Sequence, residues 1–251
     1  MKEEKMVRNH ARMVGALAIS VALGASALAF ADGAGDNEAF VEGSVKPKKL
    51  DRKKYKPIAL FTEVRTQGAV TGAQQNPESE LIEYDKDGRW KTNRAPICGA
   101  PIEFQSTEAA KGLCPPGSAI GSGEADILLA GGLVYEGLTV TAFNGPGKNE
   151  IRLHTYDPRL AGATPTVFGR IIKLRDGGKY GLALSVEDAP DVAGDTGMIT
   201  RFGATIKRSA GVALARCKDK KFHTRRTVTY DDGSQDVATD TQKCKQKKGG
   251  K

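Results

Sequence analysis

Three features of the chain predict an all-β fold, an antiparallel β-sandwich or jelly roll of about a dozen strands held by two disulfides. Apolar residues recur at every second position, clusters of Gly, Asn and Asp separate those runs, and four cysteines follow a start that reads as an export signal.

The start comes first. Lys2, Lys5, Arg8 and Arg12 precede an uncharged run over residues 14–30, which closes on Ala29-Phe30-Ala31, the small-residue pattern of a signal cleavage site. A run of about 17 residues sits at the bottom of the membrane-spanning range. The first cysteine, Cys98, is far from any lipid-attachment position beside the cut. The expected organisation is a signal peptide over residues 1–31, a flexible leader over 32–44, a single β-sandwich domain over 45–244 and a basic tail over 245–251. The expected location is extracytoplasmic, secreted or on the cell surface of a bacterium.

Period two then marks the strands. Ile58, Leu60 and Val64 share one face of the first run, and Leu138, Val140 and Ala142 share one face of a later run. The pattern returns at Ile151, Leu153 and Thr155, at Leu182, Leu184 and Val186, and at Met198, Phe202, Ala204 and Ile206, with a further apolar run over 167–174. Asn144-Gly145-Pro146-Gly147, Asp176-Gly177-Gly178 and Asp195-Thr196-Gly197 supply turn chemistry between them. Only residues 107–113, with Glu108, Ala109, Ala110 and Lys111, predict a helix. Gly121-Ser122-Gly123 lacks the spacing of a nucleophile elbow and the Lys of a phosphate loop, and reads as a tight turn feeding a strand over 126–130.

Cys98, Cys114, Cys217 and Cys244 match no zinc spacing, and an even number in an exported chain favours disulfides. Pairing Cys98 with Cys114 and Cys217 with Cys244 avoids loops of a hundred residues or more. The last pair constrains the fold. Asp232-Gly233 signals a two-residue hairpin that sets Asp231 opposite Ser234 and Cys244 opposite Lys221. Were residues 212–217 simply the next strand of that sheet, Cys217 would lie about 9.5 Å from Cys244, beyond the reach of about 7 Å between disulfide α-carbons. Either the chain crosses to the opposite sheet at Lys218-Asp219-Lys220 or both cysteines sit in frayed ends; the crossing suits a sandwich better.

The net charge is +8. Removing four basic and two acidic residues with the signal leaves +6, concentrated in Lys46, Lys48, Lys49, Arg52, Lys53, Lys54 and Lys56 and in Lys243, Lys245, Lys247, Lys248 and Lys251. Outside the cell such clusters suit an anionic envelope polymer or polysaccharide rather than nucleic acid; a solvated linker and tail explain them more simply.

Residues able to do chemistry are few. With the signal removed, His154 and His223 remain. His154 alternates with Leu153 and Thr155 and is expected on a solvent face. His223 shares a face with Arg225, Thr227 and Thr229, a stripe able to grip phosphate or carboxylate groups, while Arg226 points the other way with Phe222, Thr224, Val228 and Tyr230. Glu124 with Asp126, and Glu187 with Asp188, are candidate carboxylate pairs for glycoside cleavage. The single Trp90 argues against a sugar platform. Asp85-Lys86-Asp87-Gly88 and the acidic residues from Asp231 to Asp236 place oxygens on turns without completing a calcium loop. No cofactor and no metal is expected.

The stretch Cys114-Pro115-Pro116-Gly117-Ser118-Ala119-Ile120-Gly121-Ser122-Gly123-Glu124-Ala125, together with Tyr84-Asp85, Val140-Thr141-Ala142-Phe143-Asn144-Gly145 and Tyr230-Asp231-Asp232-Gly233, resembles a group of exported all-β bacterial proteins with no assigned activity. The resemblance spans most of residues 45–244; it implies export, one domain and the same disulfide pairing, and it supplies no site residues. The expected function is therefore a non-catalytic extracytoplasmic protein binding an envelope or extracellular ligand, with Glu124, Asp126, His223 and Arg225 as candidate contacts. The alternatives are a carbohydrate-active hydrolase using paired carboxylates and a structural coat or matrix protein.

Overall fold

The computed structural model describes residues 38–67, 77–129, 132–160, 166–187 and 197–247. The expected signal segment over 1–31, Asp188 and the expected turn at Asp195-Thr196 lie outside the described residues. In chain order the strands are β1 (Glu38–Lys46), β2 (Lys49–Leu50), β3 (Lys56–Pro57), β4 (Ala59–Gln67), β5 (Pro77–Asp85), β6 (Gly88–Trp90), β7 (Ala119–Leu129) and β8 (Leu133–Asn144). They continue with β9 (Glu150–Tyr156), β10 (Thr166–Lys173), β11 (Tyr180–Glu187), β12 (Gly197–Ile206), β13 (Ala213–Ala215), β14 (Lys221–Tyr230), β15 (Gln235–Lys243) and β16 (Lys245–Gln246). The expected helix forms as α1 (Thr107–Leu113), begun by Ser106, whose hydroxyl accepts from the Ala109 N–H at 3.2 Å.

The fold is an all-β antiparallel sandwich, and one eleven-stranded sheet, in the order β1-β4-β12-β7-β8-β9-β10-β11-β5-β14-β15, supplies both its layers. Every ladder in it is antiparallel. The sheet rolls until its first strand lies against its last two. Strand alternation makes β1 and β15 run the same way, and a backbone-to-side-chain bond joins them: the Gly43 N–H donates to Asp240 Oδ2 at 2.9 Å. A Cβ on Gly43 would fall 2.3 Å from Thr224 Oγ1, so the approach needs glycine. Rolling covers both edges that an open sheet would expose.

Alternation along each strand divides inside from outside. In β14, Phe222, Thr224, Arg226, Val228 and Tyr230 are buried while His223, Arg225, Thr227 and Thr229 are partly exposed, as their spacing predicts. The outer face of β8 and β9 departs from this rule. The loop carrying α1 folds over it and forms a second core of Cys98, Ile102, Ala110, Cys114 and Phe143. Asn144 fastens this cover by donating from Nδ2 to the carbonyls of Thr92, Ala95 and Pro96 at 3.1, 2.8 and 3.2 Å. His154, expected in solvent, is therefore completely buried beneath it.

The two ends of the roll differ. Gln67, Pro77, Leu129, Thr166, Glu187 and Gly197 all terminate at one end, as the pairings Gly197↔Leu129, Glu187↔Ser79 and Glu38↔Gln67 require. The opposite end is closed by the small sheet β3-β13-β6 and by the parallel pair β2–β16. Both disulfides form as expected, Cys98–Cys114 with α-carbons 5.0 Å apart and Cys217–Cys244 with 6.1 Å. The second joins the closing structures to the main sheet. β13, just before Cys217, belongs to the small sheet, and the Cys217 N–H donates to the Asp51 carbonyl at 2.8 Å. The strand before Cys217 does leave the meander.

Several expectations shift in detail. The final hairpin pairs Thr229 with Gln235 and Lys221 with Lys243, one position off the expected register. Its loop holds three residues: the Tyr230 N–H donates to the Ser234 carbonyl, and Gly233, at φ 81°, donates to the Tyr230 carbonyl. A left-handed glycine closing a three-residue loop is the favoured alternative to the two-residue turn. Residues 38–44, expected in the leader, belong to β1, and the first residues of the basic tail form β16. Gly121-Ser122-Gly123 lies inside β7 rather than in a turn. A Cβ on Gly123 would come 1.8 Å from the Gly203 carbonyl oxygen, so glycine lets β12 approach.

Candidate functional site

Inward-facing side chains of the rolled sheet line a cavity of about 130 Å3. By the same measure one water needs about 10–15 Å3. Cross-strand pairs build its walls: Val64 of β4 faces Phe202 of β12, and Ile82 of β5 faces Leu184 of β11, which in turn faces Ile171 of β10. Leu153, Val167 and Met198 are also part of the apolar lining, and Trp90 of β6 lies at the closed end. Thr62 and Tyr84 share a hydrogen bond of 3.2 Å, and burial pushes the Tyr84 hydroxyl up to about 12.

Toward the end of the roll away from the small sheet stands a buried charge. Arg226 is 1% exposed. Its Nη1 donates to the Arg65 carbonyl at 2.7 Å, its Nη2 to Thr66 Oγ1 at 3.0 Å, and the guanidinium pairs with Glu80. Beside them the Tyr230 hydroxyl donates to Asp236 Oδ2 at 3.1 Å, and burial with the Asp236 charge raises its pKa above the ordinary value. Two donors on side chains that line the cavity have no acceptor among the described residues, Arg226 Nε and Trp90 Nε1.

The four contacts expected from the sequence lie elsewhere, on the outer face. Glu124 and Asp126 flank Arg201, whose Nε donates to Asp126 Oδ2 at 2.6 Å and whose Nη2 lies 3.5 Å from Glu124. Burial pushes the Asp126 carboxyl up, but hydrogen bonds from Arg201 and the Gly137 N–H outweigh it and hold it below its ordinary value. A glycosidic acid needs the opposite shift. Glu124 borders an open groove of about 630 Å3 that also includes Gly121, Gly123 and Gly203, with Lys111 and Lys207 among its lining.

On β14, Arg225 is bound by both Glu83 oxygens and stacks 4.6 Å from the Tyr180 ring, while His223 Nδ1 lies 3.0 Å from Thr241 Oγ1. The structure gathers each pair and does not bring the two pairs together, since several strands separate β7 from β14 in either direction round the roll. Asp85, Asp219 and His223 place one donor atom each within 4.8 Å of one another, a set able to hold a divalent cation. The same Asp85 carboxylate accepts from the backbone N–H groups of Asp87 and His223 at 2.8 and 3.2 Å.

Sequence reasoning missed the cavity and its Arg226–Glu80 pair. The signal was present: Arg226 was correctly placed on the face of Phe222, Val228 and Tyr230, and a charge on an apolar face needs a buried partner.

Fold and site together define a rolled antiparallel β protein with an interior apolar cavity. No protein-family model and no curated protein matches the chain. Among solved structures, a cohesin module from a Clostridium perfringens ATCC13124 family 33 glycoside hydrolase is similar over 85% of this chain and 100% of its own, at 7% identity and a TM-score of 0.32. At that score the likeness carries no argument about fold or function. Among the described residues no helix is long and apolar enough to cross a membrane, and the two disulfides suggest an oxidising compartment.

Proposed function

We propose that this chain is a non-catalytic extracytoplasmic binding protein that carries a small apolar molecule inside its rolled sheet. The cavity carries this reading. An engineered protein cavity of about 150 Å3, lined by Leu, Ile and Phe, stays dry and binds benzene; the present space, near 130 Å3, has similar capacity and mostly apolar walls. The export signal and the disulfides support the compartment. The meeting of β1 with β15 weighs against a coat protein assembled edge to edge. The single tryptophan lines the cavity and supplies the assay. Titrating benzene into the oxidised protein should change Trp90 emission and raise the thermal midpoint, with about 2.7 kcal/mol of stabilisation at a hundredfold excess over Kd. If benzene near its solubility limit moves neither signal, interior binding is wrong.

A second reading adds an anionic envelope polymer or polysaccharide as a surface partner. The parallel pairing of Lys245 with Lys49, and the bond from the Lys245 N–H to the Lys48 carbonyl at 2.7 Å, bring the two lysine clusters side by side at the closed end. Binding to an anionic wall polymer should weaken steeply with salt. Retention that ignores salt would remove this partner.

A further inference from the structure

The polar end of the cavity narrows the ligand class, an inference that rests on the interior-binding reading above. A buried arginine ordinarily invites an anion. Here the invitation is already answered: Arg226 pairs with Glu80 and donates to Arg65 and Thr66, and a second buried carboxylate, Asp236, lies on the neighbouring strand. An incoming carboxylate would be a second anion on a guanidinium already paired with Glu80, in a space whose other walls are mostly apolar.

The pair also leaves something unanswered. Among the described residues Arg226 Nε and Trp90 Nε1 are buried donors without acceptors, and a buried donor left unmet is destabilising. Both residues line the cavity. Arg226 Nε is covered by its neighbours, and where a shift of the lining side chains uncovers it a neutral oxygen can accept from it without adding charge. We propose that the cavity selects a neutral, one-ring-sized apolar molecule carrying a carbonyl or ether oxygen that accepts from Arg226 Nε–H, and that Glu80 excludes carboxylates.

Calorimetry on the full oxidised chain with cyclohexanone, methylcyclohexane and cyclohexanecarboxylate tests this. Cyclohexanone should bind at least tenfold tighter than either of the others. Glu80→Gln should strengthen cyclohexanecarboxylate binding at least tenfold, and Arg226→Met, which keeps an unbranched side chain but removes every donor, should make ketone and hydrocarbon equal. If Glu80→Gln fails to fold, the wild-type ranking and Arg226→Met still decide. Wild-type protein that binds the carboxylate as well as the ketone, or the hydrocarbon as well as the ketone, overturns the inference and leaves interior binding standing. The same holds if benzene moves Trp90 emission while cyclohexanone does not bind. Failure of benzene and of all three cyclohexane probes overturns both.

Discussion

Replacing Glu80 with Leu removes the partner of a guanidinium that is 1% exposed. Taking one member from a buried ion pair costs about 3–5 kcal/mol, because the other charge is left without compensation in a low-dielectric interior. The bonds from Arg226 to the Arg65 carbonyl and Thr66 hydroxyl remain and keep the side chain from swinging out, so relief by reorientation is limited. A domain of this kind is typically stable by about 5–15 kcal/mol, so the loss is a large share. The double variant Glu80→Leu/Arg226→Met should recover most of it, since a buried pair replaced by apolar side chains is often neutral or stabilising by about 1–4 kcal/mol. Urea unfolding of wild type, both single variants and the double variant closes the cycle. The reasoning fails if Glu80→Leu lies within 1 kcal/mol of wild type by the scale of surface substitutions, or if the double variant loses the sum of the two singles.

Three further outcomes follow from the same geometry. Removing the Cys217–Cys244 bridge, which closes a separation of 27 residues, should cost about 3.5 kcal/mol, and removing Cys98–Cys114, at 16, about 3 kcal/mol; denaturant midpoints of the paired Cys→Ser variants check both. Burial holds His154 below its ordinary pKa, so on acidification the unfolded chain takes up the proton first, and stability present above pH 6.5 is lost as pH falls below it. His154→Gln should flatten that slope, and a wild-type-to-variant difference equal at pH 7.5 and pH 5.5 would contradict the assignment. Gly123→Ala places a Cβ 1.8 Å from the Gly203 carbonyl oxygen and must push β7 from β12; a loss of at least about 2 kcal/mol is expected, as for overpacking in a filled interior, whereas Ser122→Ala on the exposed side should be nearly silent.

Most of the local structure was legible. The period of two located the main strands, Glu108 to Lys111 located α1 at its observed bounds, and loop length selected the observed disulfides. These are nearest-neighbour properties, set by side-chain alternation and chain entropy. The in-out assignment along β14 was also correct, including the inward turn of Arg226. The errors arose where a distant segment intervened. His154 has the alternation of a solvent-facing residue, and only the folded-back α1 loop, held by Asn144 and Cys98–Cys114, removes it from water. Gly121 and Gly123 look like a turn until β12 passes against them. Glu124, Asp126, His223 and Arg225 read as free polar groups because their partners, Arg201, Thr241 and Glu83, come from other strands.

The sequence by itself determined an all-β chain with an export-like start, two local disulfides and a last cysteine pair that a flat meander could not join. Each of these depends on residue type, short spacing or reach. Closure of the sheet into a roll was decided only in three dimensions, because it depends on β1 meeting β15 across almost the whole length of the chain. That closure creates the cavity and gives Arg226 the partners that make its charge tolerable inside.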